Sequence, residues 1–414
     1  MSQFDAYTHI ALLYNEIGVR VRDEVTREGS YYKVKYRPKT YTPMPIGGPS
    51  KWHTLDGIPL RETQHDSINS YREFTNAAAR DGRKIYGVIS PTQQFIAENL
   101  SDRVGIAFEH LRTAFIDIEV ESKNGFAAPE NPINPITAIT VEVWGKYLVW
   151  GCGDYTPTSD NIIYAKCDDE HELLQSFLKW WASDYPDIVT GWNVQFYDIP
   201  YIINRITYLQ KHEDFPIPAT ALSPWRKISR RNMMLLGKTQ TVIDIVGVSI
   251  LDYLELYRKF SLTQQESYRL DFIAEQELGK KKVSYDDYGS LAALADQNYQ
   301  KFIEYNIMDV QLVRELNDKL HHLDLCAAIA YSSRVNFQDT FKQVRLWDAI
   351  MYYDLRSKGI AIPPNESHNK EQDYVGAYVK DPQLGKFSWV VSFDVNSLYP
   401  SIMRQWNISQ DRHL

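Results

Sequence analysis

The segment Ala114-Phe115-Ile116-Asp117-Ile118-Glu119-Val120-Glu121 limits what this chain can fold into more than any other. Residues two apart on a strand share a face. Asp117 and Glu119 therefore point one way, with Glu121 continuing the acidic face, while Ile116, Ile118 and Val120 point the other. Carboxylates lined up on a strand apolar enough to be buried are costly unless something pairs with them. A divalent cation is an economical partner, since Mg²⁺ takes oxygen ligands and keeps several waters. The pair alone is weak evidence, because 53 acids in 414 residues supply about seven acid-x-acid pairs by chance at such a composition. Its place in an apolar strand sets it apart.

Around this strand the pattern alternates. Ile136 to Trp144 and Tyr147 to Trp150 read as strands joined at Gly145-Lys146. Asp168 to Trp181 reads as a helix, Ile188 to Thr190 as a strand and Ile199 to Leu209 as a helix. Val242 to Val246 follows as a strand and Ile250 to Tyr257 as a helix. Tyr299 to Leu320 has helical apolar spacing. Strands alternating with helices indicate a layered α/β domain. The residues before about 108 read as a separate, β-rich α+β domain. It has strands at Tyr7 to Tyr14, Gly18 to Arg22, Tyr31 to Tyr36 and Ile85 to Ser90, a helix at Ser70 to Ala79, and a loop at Pro43 to Pro49. Beyond 335 come a helix, Phe341 to Leu355, and an apolar strand, Trp389 to Phe393, running into Asp394.

Composition narrows the class without naming a function. No stretch is apolar and long enough to span a bilayer. The N-terminus lacks the basic-then-apolar pattern of a secretory signal. Cys152, Cys167 and Cys326 are scattered with no CxxC spacing, which points to a reducing, cytoplasmic setting and away from structural zinc. The formal charge of −8 does not announce a nucleic-acid partner. Basic residues do cluster at Arg226, Lys227, Arg230, Arg231 and Lys238, and again at Lys280 to Lys282, although such runs are commonly solvated faces.

Two further acidic positions invite chemistry. Asp198 stands before a helix, in Asn193-Val194-Gln195-Phe196-Tyr197-Asp198, where an N-cap aspartate is the ordinary alternative. Tyr305 and Asp309, four apart on a helix, share a face. They can offer a phenol and a carboxylate together, although surface pairs of this spacing are frequent.

In order along the chain these are a strand with DxE, a loop with N-x-x-F-Y-D and a helix with YxxxD. The series resembles the DEDDy exonucleases of the ribonuclease H-like fold, and specifically the three exonuclease motifs of family B DNA polymerases. Phe115-Ile116-Asp117-Ile118-Glu119 and Thr190-Gly191-Trp192-Asn193 are similar in their longer wording too. The resemblance implies a ribonuclease H-like domain with a central mixed sheet and a two-metal 3′→5′ exonuclease. Asp117 would bridge two Mg²⁺ ions (Mn²⁺ could substitute), with Glu119 and Asp309 completing one site and Asp198 serving the other. Tyr305 and Glu119 would orient the attacking water. Asn193, Phe196 and the basic residues from Arg226 to Lys238 would face DNA, the latter as part of a β-hairpin.

The segment Asp394-Val395-Asn396-Ser397-Leu398-Tyr399-Pro400-Ser401-Ile402 resembles the first palm motif of the same family, D-x-x-S-L-Y-P-S-I. There Asp394 would bind the polymerase metals, and Ser397, Leu398 and Tyr399 would hold the incoming nucleotide. Tyr374-Val375-Gly376-Ala377-Tyr378-Val379 resembles the element between exonuclease and palm, and Val248 to Tyr257, with Asp252, also reads like the family. The wording is most like that of replicative polymerases from T-even-type bacteriophages. Neither the family's K-x-x-x-N-x-x-Y-G helix nor its Y-G-D-T-D-S hairpin occurs in the sequence, so polymerisation is not expected from this chain alone.

The expected organisation is an N-terminal domain at 1–108 and an exonuclease at 109–335. A segment at 336–380 is expected to return to the N-terminal domain, and 381–414 to start a palm. Expected partners are single-stranded and primer-template DNA, a second polypeptide or further chain completing the palm, and a sliding clamp. A non-catalytic DNA-binding half of a split polymerase is the competing reading. It draws support from the unpartnered apolar strand around Trp389 to Phe393.

Overall fold

The computed structural model describes residues 6–45, 48–100, 105–122, 125, 127–235, 238–261, 263–280, 288–364, 376 and 378–409. For 233–235 and 238–240 it describes the backbone only. The side chain of Lys238, residues 281–282 of the second basic run and most of Tyr374 to Ala377 lie outside the described residues.

Alternating apolar residues and a tight turn at Tyr14-Asn15 make the first hairpin. Strands β1 (His9–Leu13), β2 (Glu16–Arg22) and β3 (Gly29–Lys35) form one antiparallel sheet in that order. A second antiparallel sheet, order β4-β6-β5, is built from β4 (Lys39–Pro43), β5 (Trp52–His53) and β6 (Pro59–Gln64). Helix α1 (Ile68–Arg80) starts at a reciprocal cap. Ser70 N donates to Ser67 Oγ at 3.1 Å and Ser67 N to Ser70 Oγ at 3.0 Å. The strand expected at Ile85 to Ser90 does not form. Tyr86 makes a single bridge to Tyr41, and Gly87, at φ +71°, turns the backbone out of the extended region ahead of α2 (Pro91–Asn99).

The central sheet has six strands in the order β10-β9-β8-β7-β11-β14: β7 (Thr113–Val120), β8 (Ile136–Val143), β9 (Lys146–Gly151), β10 (Ile162–Lys166), β11 (Ile188–Thr190) and β14 (Ser249–Ile250). β7, β11 and β14 run parallel, while β8 is antiparallel to both β7 and β9. The sheet is therefore mixed, as the family resemblance implies. Two helices pack on one apolar face, α3 (Glu170–Ser183) and α4 (Asp198–His212). Trp181, Phe177, Ile202 and Ile206 are buried against Ile116, Ile118 and Val141. Between α4 and β14 a long antiparallel hairpin rises, β12 (Ile228–Leu235) with β13 (Lys238–Ile245).

Four helices follow: α5 (Tyr253–Phe260), α6 (Leu270–Leu278), α7 (Leu291–Gln297) and α8 (Tyr299–Leu320). Helix α5 begins later than the expected Ile250 because Asp252 caps it, its side chain accepting from Leu254 N at 3.0 Å. Helix α8 lies on β7 and β8 and buries Phe302, Asn306, Asp309, Val313 and Leu316 along one face. Helices α9 (His322–Ser333) and α10 (Gln343–Ser357) follow. The chain then pairs with the second N-terminal sheet, where His53 N donates to Gly359 O and Ala361 N to His53 O.

A buried charge network ties the first hairpin to the start of β11. Arg20, 1 % exposed, donates to the carbonyls of Tyr185, Pro186 and Gly247 and lies 3.1 Å from Asp187. Arg22 donates to Asp187 and Asp184, and the amide of Arg112 donates to Asp187 at 2.9 Å. One fully buried carboxylate thus fixes three segments at once.

His9 sits in the same interface, its Nδ1 3.3 Å from Ser249 Oγ. Burial, reinforced by the charge of Arg20, pushes its pKa from 6.5 down to about 3. The folded imidazole stays neutral while the unfolded one takes a proton below about 6.5. The stabilising effect of this difference is thus complete above that pH and is lost as the pH falls, at about 1.4 kcal/mol per unit. Lowering the pH from 6.5 to 5 should cost about 2 kcal/mol through this residue. Urea unfolding of wild type and His9→Gln across that range checks the result, and equal slopes would refute it.

The chain forms two compact units, Met1–Pro364 and Asn365–Leu414. In the second, α11 (Leu398–Trp406) is the only helix among the described residues. Trp389 to Phe393 does not form the expected strand. A strand exists through its ladder, and no partner strand occurs among the described residues of this unit.

Candidate active site at a carboxylate cluster

Strand β7 carries the site because β11 is short. Thr190, the last residue of β11, pairs with Phe115, so the edge of β7 beyond Phe115 has no strand beside it on that side. The chain turns inward there at Gly191, where a Cβ would lie 2.4 Å from Ile116 O, closer than any side chain can come. The loop 191–197 then brings Asp198 to the open edge. Its Oδ1 accepts from Ile118 N at 3.1 Å, the amide between Asp117 and Glu119. Asp198 is thus the first residue of α4 and not its cap: the cap position is Tyr197, which makes no side-chain capping bond.

The loop is held from beneath by Asp252. Besides capping α5, this carboxylate accepts from Asn193 N at 3.1 Å and Gln195 N at 3.0 Å. Asn193 takes a left-handed φ of +67°. Burial pushes Asp198 and Asp252 each up to about 7, against the lowering effect of the backbone amides they accept from.

Three carboxylates converge on the face of β7 that α8 covers. Asp117, Glu119 and Asp309 each place an oxygen within 4.8 Å of the others. Asp117 and Glu119 come from alternate positions of β7, and Asp309 from the buried face of α8. Tyr305 lies one turn before Asp309 and is half-buried. Glu121 does not continue the acidic face. β7 ends at Val120, and the cluster comprises Asp117, Glu119 and Asp309 without Glu121. Three acidic oxygens so close together repel one another, and the arrangement has the donor chemistry that a hard divalent cation requires.

Phe196 is half-buried and lines a cleft with Arg231, Asp252, Phe341 and Lys342. Lys227 donates to Leu12 O at 3.2 Å and lies 5.1 Å over the Tyr14 ring, facing the N-terminal hairpin. Arg230 donates to Asn204 at 2.9 Å and Arg231 to Asp244 at 3.0 Å. Arg226 begins the run towards β12 at φ +55°, and Lys238 pairs with Leu235 at the hairpin end. In the second unit Asp394 lies in an irregular stretch, Ser397 takes φ +53° ahead of α11, and Leu398 and Tyr399 open that helix.

Two residues of the site were not assigned a role from sequence. Asp252 stands in the sequence only as family wording, and its capping position is the available clue. Asn306, next to Tyr305, donates from Nδ2 to Asp117 Oδ2 at 2.7 Å. Nothing in its spacing marks it, since an asparagine on a helix face is usually solvated.

Comparison with known proteins agrees with this geometry. The family model for the exonuclease domain of DNA polymerase family B matches residues 88–273, and that for DNA polymerase family B matches residues 340–412. The chain is 33% identical to the DNA-directed DNA polymerase of Escherichia phage RB69, over 94% of this chain and 45% of that protein. It is 28% identical to the DNA-directed DNA polymerase of Enterobacteria phage T4, over 98% of this chain and 47% of that protein. It is also 28% identical to the DNA polymerase delta catalytic subunit of Caenorhabditis elegans, over 78% of this chain and 31% of that protein. The chain spans about half the length of the phage relatives. No described helix is long and apolar enough to cross a membrane. With both family models matching in order, and together spanning more than half of the sequence, the chain belongs to family B of the DNA polymerases and carries that family's exonuclease domain followed by the beginning of its polymerase region.

Proposed function

We propose that this chain is the N-terminal portion of a replicative, phage-type DNA polymerase and that its cluster hydrolyses the 3′-terminal phosphodiester of DNA. The observation that carries the reading is the convergence of Asp117, Glu119 and Asp309 from a strand and a distant helix, with Asp198 bonded to the amide between the first two. Asp117, Glu119 and Asp309 would hold one Mg²⁺, and Asp117 with Asp198 a second; Mn²⁺ would substitute. When bound, such a pair supplies an activated water and stabilises the leaving 3′-oxygen. Glu119 and Tyr305 orient the water. Asn193 and Phe196, on the loop held by Asp252, contact the terminal nucleotide. Arg226, Lys227, Arg230, Arg231 and Lys238 border the incoming strand along the hairpin. Selectivity for unpaired ends follows from the lower cost of fraying a mispaired terminus.

The proposed domain division is 1–108, 109–335, 336–380 and 381–414. Asp394 with Ser397, Leu398 and Tyr399 would serve nucleotide addition only in a palm completed by further residues, from the same polypeptide or another. Primer-template DNA and a sliding clamp are the proposed partners, in the cytoplasm of an infected host. The test is release of mononucleotides from a 3′-labelled single-stranded oligonucleotide by the folded chain, with Mg²⁺ and with EDTA. Release in Mg²⁺ that EDTA abolishes is the expected result, and no release in either overturns the reading.

A further inference from the structure

Asp117 and Thr140 are direct partners across the β7–β8 ladder, so their side chains rise from the sheet on the same face. Helix α8 lies over that face and sets Asn306 above the pair. All three are wholly or largely shielded, Asn306 and Thr140 being 0 % exposed. The Asn306 amide donates from Nδ2 to Asp117 Oδ2 at 2.7 Å, and its Oδ1 accepts from the Thr140 hydroxyl.

The chemistry fixes the direction of every bond in this chain. A carboxylate only accepts, so the NH₂ side of the amide must face Asp117. The amide oxygen is thereby turned to Thr140, which must donate. A flipped amide would set an oxygen against the carboxylate and leave its NH₂ against the threonine hydroxyl. The carboxylate thus sets which way round the amide lies, and the Thr140 hydroxyl, by donating to the amide oxygen, holds the side chain in that place. The consequence falls on Asp117: one of its oxygens is committed to a neutral donor, and the plane of the carboxylate is set before any cation arrives.

We infer that Asn306 is a positioning residue, locked by Thr140, that orients the Asp117 carboxylate for divalent-cation binding. The inference rests on the proposed exonuclease site and extends it to two residues that ligate nothing. Partners of this kind behind a metal-binding side chain typically change affinity or activity by about 10- to 100-fold when removed.

Mn²⁺ binding, followed by titration calorimetry on the full chain without DNA, tests it apart from catalysis. Asn306→Ala should weaken Mn²⁺ binding about tenfold or more. Thr140→Val keeps the shape but removes the hydroxyl, and should weaken binding in the same direction. Thr140→Ser restores the donor and should return affinity to within about twofold of wild type. In nuclease assays at saturating Mn²⁺ the variants should recover kcat with KM for DNA unchanged, since neither residue contacts substrate. Wild-type affinity in folded Asn306→Ala, or equal affinities for Thr140→Val and Thr140→Ser, overturns the inference while leaving the exonuclease reading intact. Should Asn306→Ala fail to fold, the valine–serine comparison decides alone. A wild-type chain that neither binds Mn²⁺ nor cleaves DNA overturns both.

Discussion

Asp117→Ala is expected to reduce metal-dependent release of 3′-terminal nucleotides on the order of 10³-fold or more, equivalent to about 4 kcal/mol of barrier. Asp117 is the one carboxylate that the proposed arrangement shares between both cations, so its loss removes a ligand from each. Residues acting as one catalytic unit lose most of their joint effect when any member goes. The effect should also exceed that of Tyr305→Phe, which removes a water-orienting hydroxyl and no cation ligand. The measurement is single-turnover cleavage of a labelled oligonucleotide at saturating Mg²⁺, with unfolding in EDTA recorded to show that the variant is folded. Activity within tenfold of wild type in a folded variant would mean that the cluster is not the reacting centre.

The second large effect is on stability. Asp187→Ala should destabilise the chain by about 3–5 kcal/mol, the range for removing one member of a buried charge set. Asp187 is fully buried and serves Arg20, Arg22 and the amide of Arg112 together. Its removal leaves the two buried arginine side chains short of their counter-ion. Asp184 compensates in part for Arg22, which it meets at 3.0 Å, but among the described residues no second carboxylate is bonded to Arg20. The exposed pair Lys166–Asp154 offers the contrast: solvent screens it, and Asp154→Ala should leave the unfolding midpoint where it is. Urea unfolding of the two variants side by side makes the comparison. A small shift for Asp187→Ala would show that the N-terminal hairpin docks on the sheet through its apolar contacts alone.

The two effects are linked. Asp187 immediately precedes β11, and the early end of β11 leaves the edge of β7 open to Asp198. The N-terminal hairpin therefore helps to set the position from which the active-site loop departs. Weakened docking should reach the cluster through this strand, without any contact between the hairpin and the proposed substrate.

Much of this was legible along the chain because its causes are local. The alternation in Thr113–Val120 makes Asp117 and Glu119 neighbours on one face, whatever the rest of the molecule does. The four-residue spacing of Tyr305 and Asp309 does the same on α8. The mixed α/β layering followed from strands and helices in alternation, and the wording of three motifs pointed to the family. Short strands such as β5, and β10 at the sheet edge, were missed, because they are stabilised by their ladder partners more than by their own pattern. The expected strand at Trp389 to Phe393 failed for the same reason in reverse: an apolar run has strand form only where another strand pairs with it.

The sequence by itself determined which residue types the site contains and on which local face each stands, since both follow from backbone periodicity over a few residues. Only the tertiary structure decided which faces meet. It brought α8 onto β7, turned Asp198 to the amide of Ile118, and placed Asn306 between Asp117 and Thr140. These are contacts between residues up to 189 positions apart. Their geometry is set by the packing of buried surfaces, which no local spacing encodes.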